Sequence, residues 1–450
     1  MSRMTNRRSF LTQTALASAG LWAAGSAGCL PMRTHVRVRR VSPNEKLNVA
    51  CIGAGGRAAD DIRGVAGENI VALCDVDDER AARMFKNYPD ARRFKDCRKM
   101  LDVMDKSIDA VVVAAPDHIH APAAVRAMQM GKHVYCEKPL AHSIWECRLM
   151  AETAARCRVA TQMGIQGHGM SGHRRAVELL RGGVLGPVRE VHAWSDRPIW
   201  PQGIDRPTAV EPVPPTLDWD LWLGPAPRRP YNHIYVPFNW RGWWDFGTGA
   251  LGDMGCHNMD VAFWGLNLGA PASVEALKVS DVHQETFPKS SMIRWEFPAR
   301  GNRPPVSLTW YDGGLKPPRE LADGLDLPTN GCLCIGTHGK LLSPDWHAND
   351  FKLLPEKEFR GLTGPPETIP RLPGDGEERH HAEWIRACKG GPPALADFAY
   401  SGPMTEAVIL GNLAVRLGKK IEWDAPNMKA RNCPEADVLI HPNIPTGWKM

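Results

Sequence analysis

Two short segments far apart in the chain carry the residue types that could do chemistry together: Glu137-Lys138-Pro139, and Asp253-Met254-Gly255-Cys256-His257. An ammonium binds a hydroxyl and stabilises the alkoxide that forms from it, and a carboxylate orients either partner. An imidazole, with an unperturbed pKa of ~6.5, accepts the proton near working pH. Asp253 and His257 stand four apart within Gly252 to Leu266, a segment that can be helical, so both project from one face. The proline after Lys138 restricts the lysine backbone and admits a cis bond, which aims the ammonium in a fixed direction. The bland alternatives are a surface lysine paired with Glu137 and an exposed i,i+4 pair.

An alcohol that loses its proton this way must also lose a hydride, and the N-terminal part of the chain supplies an acceptor site. Leu47 to Ile52 is an apolar run that ends in Gly53-Ala54-Gly55-Gly56-Arg57-Ala58, after which Ala59 to Val65 can form a helix. This is G-x-G-x-x-A in the strand-turn-helix setting that a dinucleotide fingerprint requires. Gly53 makes the turn, Gly55 lets the backbone approach a pyrophosphate, Ala58 keeps helix and strand close, and the helix N-terminus faces the phosphates. A second strand, Asn69 to Leu73, ends at Cys74-Asp75, and Asp75 stands where a carboxylate binds the adenosine ribose. That favours NAD over NADP, an NADP preference remaining possible because Arg57 partly offsets the repulsion. Asp109 to Ala114 and His133 to Cys136 read as further buried strands. Their carboxyl ends, Pro116-Asp117-His118-Ile119-His120 and Glu137-Lys138-Pro139, belong at the ligand crevice of an open parallel sheet. Pro116, Glu137 and His120 are therefore candidate cofactor contacts, although His120 could instead cap the helix that runs to about Met130.

The second half begins after Gln162-Met163-Gly164. Arg174 to Arg181 reads as a helix, Val188 to Trp194 as a strand, and the Pro-rich stretch Arg197 to Pro230 as a long excursion of the kind that is usually functional or interfacial. Phe238 to Gly247 is the densest aromatic cluster. There Trp240 and Trp243 could stack on a sugar face while Arg241 and Asp245 bind hydroxyls, or the rings could be buried. His168, after the last strand of the first half, could reach the cleft.

These motifs resemble the Gfo/Idh/MocA oxidoreductases over nearly the whole mature chain. The resemblance implies an N-terminal Rossmann domain (46–167) with a doubly wound parallel sheet and a C-terminal α/β domain (168–450) on a large, mostly antiparallel sheet whose outer face often makes dimer contacts, hence a homo-oligomer. It also implies roles: His257 as general base, Lys138 on the reacting hydroxyl, Asp253 orienting the substrate or the histidine, with Asp260 supporting His257 or capping a helix. The tail, with Glu383-Trp384, Thr405-Glu406 and Asn412-Leu413-Ala414, resembles an exported bacterial branch.

Composition agrees with a two-domain globular protein: 450 residues, 43% hydrophobic, 23% charged. A net charge of +5 with no long basic run argues against nucleic acid as a partner. Arg7-Arg8-Ser9-Phe10-Leu11 before the weakly apolar Leu11 to Gly28 reads as a twin-arginine export signal (1–29), followed by a basic, unpatterned linker (30–45). Export to the periplasm is expected, with a membrane link only if Cys29 is lipidated. The twelve cysteines sit mostly on expected strands and helices without a CxxC pair, so they read as buried apolar residues and no metal site is expected. Free NAD is scarce outside the cytoplasm, so an exported enzyme must carry its nucleotide. The expected function is oxidation and reduction of a sugar or cyclitol with tightly held NAD. Redox-neutral NAD-dependent glycoside cleavage by oxidation and elimination, or a non-catalytic sugar- or nucleotide-binding protein, are the alternatives.

Overall fold

Short apolar runs alternate with amphipathic segments through the first half of the chain, and they fold as written. In the computed structural model, which describes residues 36–346 and 349–450, the order is β1 (Asn48–Ile52), α1 (Arg57–Gly64), β2 (Asn69–Cys74), α2 (Asp78–Asn87), β3 (Arg92–Phe94), α3 (Cys97–Val103), β4 (Ala110–Val113), α4 (Asp117–Gln129), β5 (His133–Glu137), α5 (Ile144–Cys157) and β6 (Thr161–Gly164). Every pairing is parallel, in the order β3-β2-β1-β4-β5-β6. β4 and β5 are buried along their whole length because helices cover both faces. Side chains placed just before the helices start them: Asp77 accepts from the Glu79 amide, Asp96 from the Arg98 amide, and Ser143 with Glu146 closes a capping box.

The second half adds α6 (Ser171–Arg181), β7 (Val188–Trp194), α7 (Trp219–Leu223), α8 (Gly249–Asn258), α9 (Asp260–Leu266), β8 (Ser273–Val279), β9 (Ser291–Phe297), β10 (Val306–Tyr311), β11 (Gly331–Gly336), β12 (Lys340–Ser343), β13 (Lys352–Leu354), α10 (Gly376–Cys388), α11 (Phe398–Leu417), β14 (Ile421–Asp424) and β15 (Lys429–Ala430). Its nine strands run β13-β12-β11-β7-β10-β9-β8-β14-β15, antiparallel except for β7 with β10. β9 alternates strictly, with Ile293, Trp295 and Phe297 buried toward the helices. The Trp295 indole donates to the Ala407 carbonyl of α11 at 2.9 Å, which fixes helix on sheet. On the other face Leu315, Leu321, Ala322, Leu325 and Leu327 cover Trp194, Tyr311, Leu333 and Leu342. Beyond that cover, Arg294 pairs with Glu275 and Glu296. Side chains of the chain itself thus cover one part of this face, and charged pairs occupy another.

Two sets of contacts cross the boundaries expected from sequence. α10, placed by sequence in the second domain, packs its Trp384 and Cys388 into the Rossmann core beside Val49, Ile62 and Tyr135. A Cβ on Gly64 of α1 would lie 2.6 Å from the His381 ring, so α1 and α10 are seated at glycine distance. The expected linker is also not unpatterned throughout, because Arg39 reaches both oxygens of buried Asp109 (3.0 and 2.8 Å) and Val41 is buried. The expected export signal and Cys29 lie outside the described residues. Among those described, eleven cysteines are buried and unpaired, and no helix is long and apolar enough to cross a membrane.

Candidate active site

The turn after β1 shows why glycine stands in the fingerprint. Gly53 has φ +92°, its N–H donates to the Cys74 carbonyl at 2.8 Å, and a Cβ there would sit 2.4 Å from the Ala114 carbonyl oxygen. Gly55 passes less closely by the Arg80 carbonyl, whose oxygen would lie 3.0 Å from a Cβ, a packing demand beyond the expected one. Ala58 does not line the cleft; it is buried against Gly53, holding helix to strand. Asp75 accepts from the Ala54 amide (2.8 Å) and the Asp77 amide (3.0 Å), so it clamps the glycine turn and presents its carboxylate to the cleft. Burial raises its pKa against the pull of those bonds.

A cavity of about 460 Å³ runs from this turn across the ends of β4 and β5 to α8. Gly53, Gly55, Gly56, Arg57, Asp75, Pro116, Glu137, Lys138, Trp240, Arg241, Asp253 and His257 all line it. The turn glycines and the N-terminus of α1 line this cavity, with a carboxylate suited to a ribose beside them, so the residues present fit NAD. The Arg57 guanidinium is engaged by Asp61 (3.1 Å), Glu137 (3.4 Å) and Glu377 (3.6 Å). Its charge is shared among these three carboxylates.

At the far end, the Lys138 ammonium meets the Asp253 carboxylate at 2.7 Å and the Asp253 carbonyl at 2.9 Å. The Lys138–Pro139 peptide is cis. Arg241 Nε lies 3.2 Å from the same carboxylate oxygen and Arg197 Nε 3.7 Å from the other. Burial alone would raise the Asp253 pKa, but Lys138 and then Arg241 hold it well below the usual carboxylate range. His257 stands one turn further along α8 and lines the same cavity, its ring 5.1 Å from that of Trp346. Arg241 is itself held against Trp240 (4.3 Å) and Phe238 (4.5 Å).

Several lining residues escaped the sequence reading of the site. Asp117, next to Pro116 at the end of β4, takes the Thr248 hydroxyl at 2.6 Å, and burial pushes its pKa up to about 7. Its position at a strand end was the available signal. Glu137, which the sequence did mark, is likewise raised, by burial first and Asp61 next, and Gln166 donates to it at 2.6 Å. Arg197 opens the excursion, and Trp346 arrives from the β12–β13 connection with no local sequence signal.

Three candidates fall away. His120 is not in the cavity: its two ring nitrogens face the Pro139 and Ala115 carbonyls, each at 2.8 Å, so it ties the two crevice loops together. Trp243 is fully buried against Tyr235, with centroids 4.7 Å apart, in a core of its own cluster. His168 is fully buried, stacked 3.7 Å from Trp264, with Nδ1 2.8 Å from Asp260. Asp260 also faces His173 (3.0 Å) and takes the Tyr400 hydroxyl (2.5 Å), so it supports neither His257 nor a helix end. His168, His173 and Asp260 are the one grouping among the described residues that could hold a cation, and all three are buried.

Comparison with known proteins follows the same division. Residues 47–165 match the model of the oxidoreductase family NAD-binding Rossmann fold, GFO_IDH_MocA, and residues 192–296 that of the family's C-terminal alpha/beta domain. These two segments are thus similar to the two domains of the Gfo/Idh/MocA oxidoreductases. Among curated relatives, inositol 2-dehydrogenase 1 of Saccharopolyspora erythraea is 37% identical over 124 residues, 26% of this chain and 36% of the relative. Inositol 2-dehydrogenase of Gluconacetobacter diazotrophicus is 35% identical over 153 residues, 33% of this chain and 45% of the relative. The matched part thus spans under half the length of these two relatives. Two solved structures share the fold: the WlbA dehydrogenase of Bordetella pertussis in complex with NADH and UDP-GlcNAcA (TM-score 0.60, 16% identity, 84% of this chain and 99% of that one), and the aldose-aldose oxidoreductase of Caulobacter crescentus complexed with glycerol (0.57, 19%, 84% and 100%). An NAD-binding Rossmann domain followed by an α/β domain on a mostly antiparallel sheet is therefore established for this chain.

Proposed function

We propose that this protein oxidises and re-reduces a hydroxyl-bearing carbon of a sugar or cyclitol, with NAD held in the cleft. The observation that carries the proposal is the 2.7 Å pair between Lys138, from the end of β5, and Asp253, from α8, with His257 one turn beyond in the same cavity as the glycine turn. Bound NAD supplies the hydride acceptor and donor. His257 takes the hydroxyl proton during oxidation and returns it during reduction. The Lys138 ammonium, kept charged and aimed by Asp253, binds that oxygen and stabilises the developing negative charge. Trp240 and Trp346 line the substrate space as aromatic side chains suited to a sugar ring, and Arg241, paired with Asp253, lines it beside them.

The relatives named as inositol 2-dehydrogenases support a cyclitol or a sugar as the substrate class. We further propose that the chain is exported through its Arg7-Arg8 signal, works in the periplasm with its NAD resident, and touches the membrane only through a lipidated Cys29. A homo-oligomer is the corresponding proposal for assembly, read by light scattering. The deciding experiment is a panel of sugars and cyclitols added to purified protein while the absorbance of bound NADH is followed. A protein that contains or binds NAD but is reduced by none of them, at any pH near neutrality, refutes the proposal. Cell fractionation tests the location separately.

A further inference from the structure

The nicotinamide end of the cleft is built from sequence neighbours of the motifs, but the other end is closed by residues that no motif marks. The Pro-rich excursion folds back onto the Rossmann domain immediately beyond Asp75. The Asp78 amide donates to the Thr216 carbonyl (3.1 Å), the Asp218 amide donates to the Val76 carbonyl (2.9 Å), and Asp77 bridges Leu217 as an added antiparallel pair. Lys95 donates to the same Thr216 carbonyl at 3.2 Å. These bonds extend the edge of the parallel sheet's crevice with chain from the second domain, and they place Leu217, Leu221 and Trp222 in the cavity lining.

The C-terminus completes the closure. Arg98, at the start of α3 and held by Asp96, donates to the Gly447 carbonyl at 2.9 Å and lies 4.2 Å over the Trp448 ring. That ring lines the same cavity, and the far side of it approaches the excursion, where a Cβ on Gly224 would be 3.5 Å away. The walls here are an indole, aliphatic Ile119 and Leu221, and the Asp75 carboxylate. A planar base with a ribose diol is the ligand these walls suit, since flat aromatic rings stack and carboxylates accept from paired hydroxyls.

We propose that Trp448, seated by Arg98, and the Thr216–Trp222 segment form a roofed adenosine subsite that prevents NAD from exchanging during turnover. The proposal rests on the assignment of this cleft to NAD and explains how the nucleotide stays resident. Withdrawal of the adenosine then requires the tail or the excursion to lift, which couples nucleotide release to breaking the Arg98–Gly447 and Thr216 bonds.

The test follows uptake of isotopically labelled NAD by the full-length protein without any sugar present. Wild type and Trp448→Phe are expected to exchange slowly and to keep nucleotide through dialysis. Trp448→Ala and Arg98→Gln are expected to exchange on the order of tenfold faster or more, the scale of one base–aromatic stack, with unchanged melting temperature of the nucleotide-free protein. Trp448→Ala exchanging as slowly as wild type overturns the proposal, as does wild type that loses its nucleotide on dialysis. Because exchange is read without turnover, a wild type that retains NAD yet is reduced by no sugar sinks the catalytic proposal and leaves this one standing. A sugar-active enzyme with freely exchanging NAD does the reverse.

Discussion

Lys138 and His257 carry distinct parts of the proposed reaction, and substitutions should separate them from binding. Lys138→Met removes a charged donor to the reacting oxygen, so the single-turnover rate of NADH appearance should fall on the order of 10²–10³-fold while nucleotide content stays at the wild-type level. His257→Gln should cost on the order of 10²–10⁴-fold and flatten the pH dependence of that rate. Asp117 gives a stability test. Its carboxyl is raised to about 7 by burial, so between pH ~4 and 7 the folded protein binds a proton that the unfolded chain has already released. Folding stability contributed by this group therefore declines as pH rises through that window and stays low above it. Asp117→Asn should remove that decline: the melting temperature of the variant relative to wild type should climb from pH 4 to 7 and level off beyond. A constant difference across the range would show that the group titrates normally.

At the scale of elements, the glycine turn is the most exposed to error. Gly53→Ala combines a positive φ with a Cβ 2.4 Å from the Ala114 carbonyl, so it should cost about 1–3 kcal/mol from backbone strain alone, before the clash, and empty the protein of NAD. Thermal denaturation and extracted nucleotide read the two effects. This turn, the strand ends at Asp75, Pro116 and Glu137, and the Asp253–His257 spacing were legible in sequence because each is set by a few adjacent residues. The errors share one cause. His120, His168 and Trp243 are chemically suited to a site, but whether a side chain faces a cavity or a core is decided by elements far off in sequence. His168 was turned inward by Asp260 and Trp264, and Trp243 by Tyr235. Trp346 and Trp448 were illegible for the opposite reason, since no local pattern tells a loop tryptophan that it will line a distant crevice.

For the whole molecule, the return of α10 onto the Rossmann core makes the two sequence-defined domains interdependent. Trp384 is fully buried in that core, so Trp384→Ala should cost about 3–5 kcal/mol. Urea unfolding followed by both far-ultraviolet dichroism and bound-nucleotide release should show one transition in wild type. Two separated transitions in the variant would show that α10 is what couples the halves. The seating at Gly64, where His381 leaves no room for a methyl, places the same demand on backbone approach.

The burial of all eleven described cysteines has a practical corollary. Against a chromogenic disulfide reagent the native protein should present none of these sulfurs, and each should react only as fast as the fold opens. Any thiol that reacts at once can then only be residue 29, so a count of one marks a protein that still carries that cysteine without a fatty chain.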